Sequence, residues 1–199
     1  GASLALAPVV TGTLTDGALR YNGHAGTTTT YLDWTTAIDL DGDGTADAVT
    51  IGTSAIDLTS AERYTISGTV TGLDVADGLV TGTATVLVTR SVVSADLDGD
   101  GTFEATEAAL TGVRIGAATV SLNIGGFGAG VTITELAVAT IAADETATAT
   151  HHAIVGSGIG ATLALAPVVT GTLTDGALRH NGHAGTTTTY LDWTTAIDL

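Results

Sequence analysis

The chain reads as all-β, an antiparallel β-sandwich or barrel-like unit, on three observations. Apolar and polar residues alternate over long stretches, no segment carries an apolar stripe at helical spacing, and Thr, Val, Ala and Gly dominate. In residues 2–15, Leu4, Leu6, Val10, Gly12 and Leu14 share one face against Thr11, Thr13 and Thr15, which predicts a half-buried strand interrupted near Pro8. Asp16-Gly17, Asn22-Gly23 and Gly26 read as turns. Residues 27–34 predict a strand with Tyr31 and Asp33 opposite Leu32 and Trp34, and residues 48–51 a short one after an acidic loop. From Glu62 the alternation is long: Tyr64, Ile66, Gly68 and Val70 face away from Thr65, Ser67, Thr69 and Thr71, and residues 79–93 continue it. These two runs predict a hairpin across 74–78. A second acidic loop precedes strands at 111–115, 119–124 and 131–141, parted by turns at Gly116 and 125–130, and residues 146–159 close the series.

The series then begins again. Residues 160–199 repeat residues 1–40 with two changes, Ser3 to Thr162 and Tyr21 to His180. Such a spacing marks a tandem array, so residues 1–159 are expected to be one full repeat and 160–199 the start of the next. The second block should pack with the preceding sheet or complete an adjacent unit, because a β unit in an array has edges to cover. The frame of the repeat is open, since any cyclic shift of the period fits.

Composition narrows the function classes. A net charge of −16 with five arginines and no lysine disfavours nucleic acid, whose phosphates need a basic surface, and equally an anionic membrane surface. No stretch approaches a membrane span, so no membrane insertion is expected. With no cysteine there is no disulfide or thiolate chemistry, and 4% aromatic residues imply a thin core of small side chains. A chain of this kind needs another staple, and metal ions suit its charge.

The sharpest motif is Asp96-Leu-Asp98-Gly-Asp100-Gly101-Thr102-Phe-Glu104-Ala-Thr-Glu107. Its carboxylates fall at positions 1, 3, 5, 9 and 12 of a twelve-residue loop, with Gly at 6 and Thr102 where a backbone carbonyl normally serves. Hard oxygen donors in this order are the spacing of a Ca²⁺ loop. The preceding strand pattern argues against helix–loop–helix flanks, although Glu107 could open a single helical turn through Ala108 to Leu110. Asp39, Asp41, Asp43, Thr45 and Asp47 repeat the first nine positions, but Thr50 stands at position 12 and leaves the shell to water or to Asp33 or Asp57.

With these motifs inside near-identical Thr/Gly/Val-rich β repeats, the chain resembles the tandem repeats of giant extracellular calcium-binding bacterial surface proteins, adhesin-like or fibre-forming. The resemblance implies a secreted or cell-surface structural role, in a filament or stalk built by self-association of neighbouring repeats or subunits. The alternative is an adhesin domain that binds glycan or another cell surface, for which Trp34 and Tyr31 are the candidate contacts. Residues 125–130 echo the nonapeptide of calcium β-rolls but carry Gly where its Asp ligand belongs.

No enzyme is expected. The G-x-S-x-G, H-E-x-x-H and phosphate-loop patterns are missing. His24, His183 and His180 sit at turn signals and His151-His152 in a strand pattern, where adjacent side chains point oppositely and cannot share one metal. Surface or turn positions are expected for them.

Overall fold

A computed structural model describes the chain except residues 1, 7–9, 26–29, 76–79, 125–126, 145, 166–168 and 199. The protein is all-β. Among the described residues eleven strands run in chain order: β1 (Ala2–Leu6), β2 (Val10–Tyr21), β3 (Val49–Ile51), β4 (Ser54–Ile56), β5 (Glu62–Val75), β6 (Val80–Ala95), β7 (Ala105–Ile124), β8 (Phe127–Ala142), β9 (Thr150–Leu165), β10 (Val169–Ala184) and β11 (Ile197–Asp198). The large sheet is an antiparallel meander in the order β1-β2-β5-β6-β7-β8-β9-β10, with β11 paired to β6. It is not a closed barrel. β3 and β4 form a separate small hairpin.

The strands are long because the alternation of small and β-branched residues persists through positions that read as turns. Asp16-Gly17 lies inside β2, where Asp16 takes a φ of 50° and the pairing with β5 shifts between Thr15 and Ala18. It is a bulge, since an extra residue in a long antiparallel pair is absorbed by one left-handed position without reversing the chain. Gly116 likewise does not break β7. Ala117 beside it has a φ of 48°, and pairing with β6 skips between Thr83 and Thr85. The expected helical turn at Ala108 to Leu110 is also strand, because Ala108 to Leu110 pair in order with Val93, Val92 and Ser91. The predicted strand at 27–34 is not one over residues 30–34, and residues 27–29 lie outside the described part.

The second layer comes from the strap that follows β10. It crosses one end of the sheet and delivers β11 to β6, with Ile197 opposite Ala95 and Asp198 opposite Ser94. Leu191 and Ala196 are buried there against Val93, Ala95, Ala108 and Ile141, and Trp193 packs beside them. Half of this core is alanine, in keeping with the scarcity of aromatic residues, and small side chains let strap and sheet approach closely.

Candidate metal centres

Each acidic loop builds itself from its first aspartate. In the loop at 96–104, Asp96 Oδ1 accepts the Gly99 N–H at 2.7 Å and Oδ2 the Gly101 N–H at 2.8 Å. Asp98 Oδ1 accepts from the Asp100 N–H at 3.2 Å and Asp100 Oδ1 from the Thr102 N–H at 2.8 Å, while Glu104 Oε1 holds the Leu97 N–H at 2.9 Å. Gly99 and Gly101 take φ of 85° and 91°, a conformation in which a side chain would be strained, so the aspartate–glycine alternation sets the curl.

The loop at 39–47 repeats this bond for bond. Asp39 accepts from Gly42 at 2.7 Å and Gly44 at 2.9 Å. Asp41 accepts from Asp43 at 3.1 Å, Asp43 from Thr45 at 2.7 Å, and Asp47 from Leu40 at 2.7 Å. The two loops are one device used twice.

The curl brings carboxylates together. Asp96, Asp98, Asp100 and Glu104 offer oxygens that all lie within 4.8 Å of one another, and Asp39, Asp41 and Asp43 do the same. Both groups could hold a metal ion, and their all-oxygen donor sets fit a hard cation. Glu107 is not in the first group, for it is carried off on extended β7 and lines a hollow with Asp144 and His151 instead. Asp47 is not in the second, although its carboxylate accepts the Leu40 N–H just as Glu104 accepts that of Leu97. Nor do the remote candidates join it: Asp57 pairs with Arg20 at 2.7 Å, and Asp33 accepts the N–H and hydroxyl of Thr35 at 2.9 and 2.5 Å. Thr102 and Thr45 each place their backbone N–H on an aspartate of the loop.

Electrostatics follow the same geometry. The N–H groups of Gly44 and then Gly42 hold the Asp39 carboxyl below the usual aspartate range. At Asp96, 7% exposed, desolvation pushes the pKa up, but the N–H groups of Gly101 and Gly99 outweigh it and the net shift is downward. Both loops therefore keep their first carboxylate charged.

The aromatic candidates are already engaged. The Arg63 guanidinium lies 3.4 Å above the Tyr31 ring, and His24 meets that ring edge-on at 4.7 Å. The Trp34 indole N–H donates to Asn22 Oδ1 at 3.3 Å. Asn22, read from sequence only as a turn residue, is 2% exposed and donates its amide to the carbonyls of Leu32 and Thr59, both at 2.9 Å. The recurrence of Asn and Trp twelve residues apart in both blocks was the available signal. His151 also departs from expectation. It is buried, and its Nδ1 has no hydrogen-bond partner among the described residues.

Compared with family models, curated proteins and solved structures, the chain matches none of them. No helix among the described residues is long and apolar enough to cross a membrane.

Proposed function

We propose that the chain is a structural repeat of a long secreted or cell-surface protein, stabilised by Ca²⁺ at its two acidic loops and serving in an extracellular filament or stalk. The observation that carries this reading is the bond-for-bond match of the two loops, each bringing carboxylate oxygens together, the 96–104 loop at the margin of the core. Neutralising those clustered charges and restraining the loops would couple folding to external calcium. The surface-protein resemblance supports the same role.

The test is calorimetric titration of chelator-treated protein with Ca²⁺, alongside melting curves. Two bound ions per chain and a melting temperature that rises with calcium are expected. An unchanged melting temperature at millimolar Ca²⁺ would remove the stapling role. The adhesin alternative draws no support from Tyr31, whose ring lies under Arg63, or from the Trp34 N–H bonded to Asn22.

A further inference from the structure

We infer that consecutive copies share one uninterrupted antiparallel sheet: the outer edge of β10 pairs with the β5 of the next copy, and that copy's opening block straps the one before it. The inference rests on the array reading above and adds the geometry of the junction. Its warrant is the duplicated block, whose two copies sit in different halves of the same environment.

Towards the preceding strand the copies are identical. Leu14 lies opposite Ala2, Thr13 opposite Ser3 and Gly12 opposite Leu4. Leu173 lies opposite Ala161, Thr172 opposite Thr162 and Gly171 opposite Leu163. β1 is thus the counterpart of the last part of β9, and β2 of β10. Asp175 takes the same left-handed φ as Asp16, 51° against 50°. Asn181 bonds the Leu191 carbonyl and the Trp193 indole just as Asn22 bonds Leu32 and Trp34.

Towards the following strand they differ. The far edge of β2 is paired to β5, with Thr13 opposite Thr71, Leu14 opposite Val70 and Thr15 opposite Thr69. Among the described residues no strand pairs with the far edge of β10. Asn22 is buried because Thr59 accepts its amide and Arg63 its backbone N–H at 3.0 Å, whereas Asn181 is exposed.

At the strap the deficit is reversed. Leu191 is 3% exposed on the sheet end, while its counterpart Leu32 is 40% exposed. Ala196 is buried and its carbonyl takes the Asp96 N–H at 2.9 Å, while Ala37 is exposed. Each copy lacks what the other possesses. A strand of the same sequence, held in the same register on one edge, presents the same donors and acceptors on the other, so the occupant of the β10 edge is a β5 strand. In a separate chain β5 is already covered by its own β2, so the strand comes from the next copy along the polypeptide.

One period then contributes six strands to the large sheet, β2 and β5 to β9. At about 4.8 Å per strand this advances the array by ~29 Å per copy, with the strands lying across its long axis. The junction also places the 39–47 loop of one copy beside the 96–104 loop of its predecessor, since Asp198, the counterpart of Asp39, already pairs with Ser94.

The test lengthens the full chain by a second run of residues 41–159. One variant carries Thr172→Cys together with Thr71→Cys in the appended run, in a protein otherwise free of cysteine. Mild oxidation should close this disulfide at least ~10-fold faster than in a control pairing Thr172→Cys with Thr69→Cys, which lies out of register. Amide exchange is read in parallel on the unsubstituted lengthened chain, where those N–H groups of residues 170–174 that point away from β9 should exchange at least ~10-fold more slowly than in the 199-residue chain. Equal oxidation of both pairs, or unchanged exchange of those amides, overturns the shared sheet even where calcium still raises the melting temperature. A selective disulfide with no response to calcium retains the junction and rejects the stapling role.

Discussion

The two acidic loops have the same internal bonds and different surroundings. The loop at 96–104 lies beneath the strap, where Ala196 accepts its first N–H and Leu191, Asp192 and Thr195 wall its side. The loop at 39–47 follows the first block directly, and Asp39, Asp41 and Asp43 all stand exposed. Loop geometry is therefore a local property of the aspartate–glycine alternation, whereas burial of the loop is supplied by the strap. The difference teaches that one sequence device meets two environments, one covered by packing and one open, with four converging carboxylates in the first and three in the second.

The strongest way to break the contrast is to remove the strap's anchor. Leu191→Ala should cost about 2–5 kcal/mol of unfolding free energy, as deletion of a buried leucine does, and Leu32→Ala less than about 1 kcal/mol, both read by denaturant titration. A loss at Leu191 as small as that expected at Leu32 would mean that the strap contributes little to the core. Next in size is the first ligand of the covered loop. Asp96→Ala removes the acceptor for both Gly99 and Gly101, so calorimetry should show calcium affinity there falling by at least the ~10–100-fold that loss of a mere supporting partner costs.

Asp39→Ala should abolish the second binding event in the same titration yet leave the melting temperature of the metal-free protein nearly unchanged, because that loop packs on little. A large drop would show that the open loop is structural in its own right. The smallest effect belongs to His151, which lines the hollow beside Asp98 and Glu104. Burial, followed by the charges of His183 and His152, lowers its pKa. A base whose folded pKa is depressed stabilises the fold above its unfolded value near 6.5 and loses that contribution as pH falls through the folded value. Melting temperature should therefore decline modestly below pH ~6.5, and His151→Gln should flatten that limb. An identical decline in the variant would assign it to other groups.

Much of this was legible in the chain. The period-two alternation of residues 62–72 and 79–93 carried β5 and β6, and the aspartate spacing carried both loops, because each is a short-range signal. Asp16-Gly17 and Gly116 misled, since the same left-handed propensity serves a bulge as well as a reversal, and only the pairing partner distinguishes them. Glu107, at position 12 of the spacing, is carried forward by β7 and stands outside the group of four carboxylates. Asn22 and the strap were hidden for another reason. Their partners, Thr59 and Val93, lie far away in sequence, and such contacts leave no local pattern.

Each strand of the large sheet lies against the one before it in the chain, save for β5, which follows the excursion through β3 and β4, and β11, which returns to β6. From β5 to β10, newly made polypeptide therefore meets an edge that is already formed, and closing each hairpin costs only the entropy of a short loop. Growth of such a sheet is vectorial: between β5 and β10 it matures in the order of synthesis, one hairpin at a time.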